Sequence, residues 1–185
     1  FIQSRAILNY DETAREIMAG LKYKSKSEYA GLLSLLAAER LYEWVTEVKP
    51  DVIVPVPIHK ERLIKRGYNQ AELIGNGISE FTGIPQRTDL LYRIKNTKAQ
   101  KELSAEERLL NLQNSFIADN KTGKTSGQIK AASENEEGLR VLLIDDIYTT
   151  GSTMEACTEA LLRAGAGSVY GICICAGMDT PRIDV

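Results

Sequence analysis

Apolar positions in the first third of the chain recur at helical spacing, whereas later apolar runs are short, β-branched and closed by proline or glycine. Asp11 is placed to cap a helix whose apolar face is Ala14, Ile17, Met18 and Leu21. Ser27 precedes a longer stripe, Ala30, Leu33, Leu36, Ala37, Leu41, Trp44, Val45 and Val48, which Pro50 closes. Two helices are therefore expected within the first fifty residues. Asp51-Val-Ile-Val-Pro-Val-Pro57 predicts a buried strand that runs into a constrained loop. A polar, cationic turn from His59 to Gly67 follows. Next comes a helix around Ala71, Leu73, Ile74 and Ile78, ending near Gly83-Ile84-Pro85.

Leu90-Leu91-Tyr92 predicts another strand, and Arg93 to Lys101 a basic loop. Ser104-Ala-Glu-Glu107 matches a capping box and is expected to open a helix through Leu110. The stretch 119–138, polar and without periodicity from Lys121 to Gly138, reads as a loop to which no role is assigned. Arg140 to Ile144 predicts a buried strand, Ser152 to Ala164 an amphipathic helix ended by Gly165-Ala166-Gly167, and Ser168 to Cys175 the last strand. Strands alternating with helices imply an α/β fold with a mainly parallel β-sheet flanked by helices. The expected organisation is a single globular domain: residues 1–50 as an N-terminal helical segment, or hood, on a core of residues 51–185.

The 185 residues suffice for one sizeable core, and 43% apolar with 26% charged residues is ordinary for a soluble globular protein. The net charge of -2 gives no general bias toward nucleic acid or membrane. The charge is unevenly placed, however. Lys60 to Arg108 holds ten Lys/Arg against seven Asp/Glu, and Leu109 to Val185 six against ten. A cationic middle third facing a later acidic motif suits a ligand that carries phosphates beside a divalent metal. No apolar run approaches the roughly 20 residues of a membrane span, so no membrane insertion is expected, and a cytoplasmic location follows. Cys173 and Cys175 read as small buried strand residues, and with His59 the only histidine no metal cluster is expected. Phe1 in place of Met leads to the expectation that a segment upstream has been removed.

The chemistry concentrates in Val141-Leu-Leu-Ile-Asp-Asp-Ile-Tyr-Thr-Thr-Gly-Ser-Thr-Met154. Adjacent carboxylates stand at the carboxyl end of a buried strand, where ligands of open α/β sheets bind. Thr149, Thr150, Gly151, Ser152 and Thr153 then lead into a helix. Gly151 lets the backbone turn and approach a ligand, the hydroxyls donate hydrogen bonds, and helix N-terminal N–H groups favour an anion. Asp145 and Asp146 suit sugar hydroxyls rather than phosphate. The order, carboxylates then phosphate loop, reads out a ribose 5-phosphate. A nucleotide-binding P-loop is the rival reading, with Gly123-Lys-Thr125 as its end. It fails because Ala118 stands where the first glycine belongs and no helix follows.

This segment resembles the 5-phosphoribosyl-1-pyrophosphate (PRPP) signature of type I phosphoribosyltransferases. The resemblance implies that fold, with Asp145 and Asp146 on the ribose hydroxyls and Thr149 to Thr153 on the 5-phosphate. Pyrophosphate needs cations, backbone donors and Mg²⁺. Val54-Pro-Val-Pro57 ends a strand, and Lys60, Arg62, Lys65 and Arg66 follow it. The unit VPVPIHKERLIKRGYNQAELI resembles the ComF family of competence-associated phosphoribosyltransferase-like proteins, with Arg62, Arg66, Gly67, Tyr68, Asn69 and Gln70 matching and Tyr68 where Phe is usual. Arg93, Thr97, Gln100, Arg108, Asn111 and Phe116 extend the match. The family's cysteine-rich zinc-binding segment is lacking here. A pyrophosphate site of Val56, Pro57, Lys60, Arg62, Arg66 and Arg93 is expected. Mg²⁺ bridges ligand oxygens there and meets Asp145 and Asp146 only indirectly, through ribose or water. Lys95, Lys98 and Lys101 divide evenly between ligand and solvent roles, and His59 is structural or solvent-exposed rather than a general base.

The resemblance implies transfer of phosphoribosyl from PRPP to an unknown acceptor with release of pyrophosphate, in a protein associated with DNA uptake. The alternative is a non-catalytic PRPP sensor that binds single-stranded DNA or a competence or replication-restart helicase. An acceptor pocket separates the two, and the first fifty residues carry no pattern that names a base. Tyr10, Tyr23 and Tyr29 are expected to be helix-packing residues.

Overall fold

The computed structural model describes residues 1–23, 28–94, 114–118 and 138–177. Among them, four parallel strands form one sheet in the order β1-β6-β5-β2: β1 Ser4–Asn9, β2 Val52–Pro55, β5 Arg140–Tyr148 and β6 Ser168–Ala176. The helices are α1 Glu12–Tyr23, α2 Glu28–Arg40, α3 Tyr42–Val48, α4 Lys60–Arg66, α5 Gln70–Thr82 and α6 Ser152–Arg163. A two-stranded antiparallel piece, β3 Tyr92–Arg93 with β4 Phe116–Ile117, stands apart from the main sheet.

The central strand β5 sets the architecture. It pairs with β2 from Val52↔Val141 to Pro55↔Ile144 and with β6 from Arg140↔Ser168 to Tyr148↔Ala176. Val141 to Ile144 are completely buried because both sheet faces are covered. Successive side chains point to opposite faces. Val141 and Leu143 therefore meet Met154, Cys157 and Leu161 of α6 and Phe116 of β4. Leu142 and Ile144 meet the other layer, including Met18 and Leu21 of α1, Leu33 of α2, Trp44 of α3 and Ile74 of α5.

Local sequence explains the element ends. Asp11 Oδ1 accepts from Ala14 N–H at 2.8 Å, the expected cap of α1. His59 caps α4 by accepting from Glu61 N–H, and Gly67 ends it at φ 86°. Asn69 caps α5 and Gly83 closes it.

Three expectations need correction. The first fifty residues are not two helices: Ser4–Asn9 is an edge strand, and the long stripe breaks at Leu41 into α2 and α3. β1 carries a single β-branched residue, Ile7, and its pairing partner is β6, from Ser4↔Gly171 onward. Its strand state is set by a contact across the whole chain. Arg40 donates to Ile7 O at 2.8 Å on this strand, which helps to blunt an otherwise open edge. The cationic turn after β2 is a short helix, α4, because caps at both ends complete its hydrogen bonding. The strand expected at Leu90-Leu91-Tyr92 begins two residues later, with Leu90 and Leu91 buried in the core instead. The helix expected from Ser104 and all but the last residue of the stretch 119–138 lie outside the described residues. So do Thr97, Gln100, Arg108, Asn111, Lys95, Lys98 and Lys101.

Because both faces of β5 are sealed, Leu142→Ala and Leu143→Ala should each cost roughly 2–5 kcal/mol. Urea unfolding of the two variants measures this. A loss in only one of them would mean that one face of the sheet is open.

Candidate functional site

The parallel pairing of β2 with β5 brings their carboxyl ends side by side, and Val56 N–H donates to Ile144 O at 2.8 Å just beyond the ladder. The Val56–Pro57 loop is thereby fixed next to Asp145 and Asp146. Asn69 secures it from the other side: its Nδ2 donates to Val56 O at 3.0 Å while its Oδ1 accepts from Ala71 N–H at 3.2 Å. One buried side chain thus caps α5 and holds the loop.

The neighbouring signature residues tie in α1. Tyr68 Oη donates to Leu21 O at 2.6 Å, and Gln70 Nε2 donates to the same carbonyl at 3.4 Å. Gln70 Oε1 in turn accepts from the Arg66 guanidinium. Arg62 and Arg66, four residues apart on α4, both reach the cleft.

Strand alternation divides the acidic pair. Asp145 continues the row of Val141 and Leu143, and Asp146 the row of Leu142 and Ile144. Both remain inside β5, which runs on to Tyr148. Asp146 Oδ2 is ion-paired with Lys22 Nζ of α1 at 2.7 Å. Asp145 Oδ1 accepts from Asp146 N–H at 2.8 Å. Burial first, and then the Asp146 carboxylate, push Asp145 up to about 7, against the pull of that hydrogen bond, Lys22 and Arg93. Arg93, stacked 5.2 Å from the Phe116 ring centroid, is shifted down by burial and then by the Arg62 cation. The fold thus holds like charges close together twice on the wall of one cleft.

At the start of α6, Gly151 adopts φ 80°, and a Cβ there would lie 2.4 Å from Tyr148 Oη. The loop therefore closes over Tyr148 only because residue 151 lacks a side chain. Thr150 and Ser152 hydroxyls bond each other at 2.8 Å.

The cleft is about 310 Å³. It brings together Val56, Pro57, Arg62, Arg66, Arg93, Asp145, Asp146, Thr149 and Thr153 of the expected set. Lys60, Thr150, Gly151 and Ser152 are not on its wall: Lys60 is exposed on α4, and Gly151 is buried beneath the loop. Lys22, Tyr10 and Ile147 are wall residues that sequence reasoning did not place there. Lys22 gave no signal because it looks like any basic residue in a helix's last turn. Tyr10 was read as a packing residue. His59 takes a structural part, as the cap of α4. Cys157, Cys173 and Cys175 are buried thiols, the first two raised well above the ordinary range chiefly by burial. Among the described residues, no three acidic, histidine or cysteine side chains form a metal cluster, and no helix is long and apolar enough to cross a membrane.

A parallel α/β sheet with this carboxyl-end cleft is the arrangement of a phosphoribosyltransferase-like protein, and the family model of the phosphoribosyl transferase domain matches residues 94–183. Relatives narrow the class. The chain is 31% identical over 172 residues to the DNA utilization protein YhgH of Escherichia coli strain K12, covering 91% of this chain and 70% of that one. It is 36% identical over 121 residues to Competence protein F of Haemophilus influenzae, covering 65% of this chain and 48% of that one. The chain belongs to the ComF family of phosphoribosyltransferase-like proteins. It spans about half the length of the Haemophilus relative. Among solved structures, a purine phosphoribosyltransferase from Pyrococcus horikoshii Ot3 aligns with a TM-score of 0.47 at 19% identity, over 83% of this chain and 82% of that one.

Two outcomes follow from the geometry. Asp145 holds a proton in the folded state up to about pH 7 but releases it near 3.8 when unfolded, so stability falls as pH rises through that window. Asp145→Asn should match the parent near pH 4 in chelator and melt higher above pH 7. Parallel melting curves at every pH would contradict this. Gly151→Ala, forced into a left-handed conformation against Tyr148, should lose roughly 1–2 kcal/mol by denaturant titration. An unchanged midpoint would mean that the loop is not held this way.

Proposed function

We propose that the cleft binds PRPP. The 5-phosphate lies against Thr149, Thr153 and the amino end of α6. The ribose hydroxyls donate to Asp145 and Asp146, and the pyrophosphate rests on the Val56–Pro57 loop between Arg62, Arg66 and Arg93. The observation that carries this reading is the convergence of these residues, from four separate parts of the chain, on one cleft. Its mixed polarity is the second support. The wall carries three arginines together with two carboxylates, and a sugar bearing phosphates has groups that suit both.

The residues fit Mg²⁺ only as an ion that arrives with the ligand. The described part of the cleft offers two carboxylates and no third metal-binding side chain, and Asp146 already engages Lys22. Mg²⁺ in nucleotide and phosphate sites commonly takes one or two carboxylates, substrate oxygens and water. When bound, it neutralises charge on the pyrophosphate. The chain itself supplies orientation through the carboxylates and cations that face the leaving group.

Turnover distinguishes two forms of this reading. In the first, phosphoribosyl passes to an acceptor with release of pyrophosphate. In the second, the protein senses PRPP and acts through a partner in DNA uptake or use, as the names of its relatives suggest. One observation bears on the second. Lys60 and Lys65 are exposed on α4 away from the cleft wall and are available to the phosphates of single-stranded DNA. A helicase partner and a cytoplasmic location belong to the same reading.

Calorimetric titration of PRPP with Mg²⁺ should give saturable binding that the Asp145→Asn, Asp146→Asn double variant loses. Absence of heat and of thermal stabilisation at millimolar PRPP would refute the assignment. A pyrophosphate-release screen across acceptor bases then decides between transferase and sensor.

A further inference from the structure

We propose that Lys22 is a ligand-binding residue of this cleft, which leaves Asp146 and takes an anionic oxygen of the pyrophosphate group when ligand binds. The inference rests on the PRPP reading and adds to it a cation from α1, outside the residues 94–183 that match the phosphoribosyl transferase domain.

Lys22 Nζ lies 2.7 Å from Asp146 Oδ2, and both side chains remain partly open to the cleft. Its position is imposed by the fold rather than by the ion pair. The preceding carbonyl, Leu21 O, is gripped by Tyr68 Oη and Gln70 Nε2, and Gln70 Oε1 holds the Arg66 guanidinium. A single side chain, Gln70, therefore sets the spacing between the backbone that carries Lys22 and a guanidinium at the pyrophosphate end. This places Lys22 on the Arg66 side of the cleft rather than beside Thr149 and Thr153.

The charge balance points the same way. Among the described residues of the wall, Lys22 stands with three arginines, Arg62, Arg66 and Arg93, and with the two carboxylates Asp145 and Asp146. Ribose hydroxyls and Lys22 compete for the same acceptor, Asp146 Oδ2. The ammonium, on a flexible four-carbon stem with three donors, turns to a nearby anion as the hydroxyl arrives. Lys22 thus keeps the carboxylate compensated before binding and joins the pyrophosphate contacts afterwards.

The test is calorimetry of wild type, Lys22→Met and Lys22→Arg with three probes: PRPP with Mg²⁺, pyrophosphate with Mg²⁺, and ribose 5-phosphate. The Met variant should weaken PRPP and pyrophosphate roughly 10- to 100-fold, the loss typical of a charge-assisted hydrogen bond. Ribose 5-phosphate should bind no more weakly, since it lacks the pyrophosphate contact and loses a competitor for Asp146. The Arg variant should recover most of the loss. Equal affinity of wild type and Met variant for PRPP and pyrophosphate overturns the proposal while leaving the PRPP site intact. A uniform loss for all three probes also overturns it, because that is the mark of a misplaced Asp146. Wild type that binds no PRPP removes both assignments together. Lys22→Gln replaces the Met variant if thermal melting shows that Met does not fold.

Discussion

Alternation along β5 governs where chemistry can occur in this protein. A strand buried between two parallel neighbours and covered on both faces must send successive side chains into different layers. The two adjacent carboxylates that follow Ile144 are divided in the same way, before the strand's last residues, Ile147 and Tyr148, exchange layers. Asp145 takes the side of α6 and Arg93, Asp146 the side of α1 and Lys22. Any ligand that engages both must lie across the edge of the sheet, and the site has to recruit residues from both layers. That is why the cleft wall draws on residues as distant in sequence as Tyr10 and Thr153.

The second organising element is the run Gly67 to Gln70. In sequence it resembles a ligand signature, yet most of its work is structural. Gly67 ends α4, Asn69 caps α5 and pins Val56, and Tyr68 and Gln70 hold the end of α1. Asn69 and Gln70 are buried, and buried amides are tolerated only when their hydrogen bonds are met. Here the partners are backbone groups of other elements, so satisfying the amides also fixes the position of the cleft's walls. Arg62 and Arg66 are the cleft-facing part, delivered by a helix none of whose side chains is buried.

The legible parts of the fold were those with local signals. The blocks Val52–Pro55 and Val141–Ile144, the caps at Asp11 and Gly83, and the phosphate-loop glycine all carry their reason within a few residues. β1 does not: Ser4-Arg-Ala-Ile-Leu-Asn9 has little strand character of its own, and it pairs with residues around Gly171 and Cys175. Of the candidate site, the residues on and next to β5 and after β2 were legible because sheet topology places strand ends together. Lys22 was not, since its place on the cleft wall depends on where α1 ends in space. Lys60 erred the other way. It shares the charge and the neighbourhood of Arg62 and Arg66, but helical geometry turns it to solvent.

The cleft carries two unfavourable like-charge encounters, Asp145 with Asp146 and Arg93 with Arg62. Neither helps the fold, since neutral side chains would pack there at lower cost. Lys22 relieves the first only from one side, which leaves Asp145 shifted upward. Such arrangements are expected where a ligand completes the electrostatics. Here the two encounters demand opposite things. The arginines call for an anion, and the carboxylates for hydroxyl donors or a cation. A bare nucleic-acid backbone supplies the first and not the second. A phosphorylated ribose with a metal-bearing pyrophosphate supplies both in one molecule, and in the order in which the strand ends present their partners. Mixed polarity, more than positive charge, is the property of the cleft on which the proposed ligand class rests.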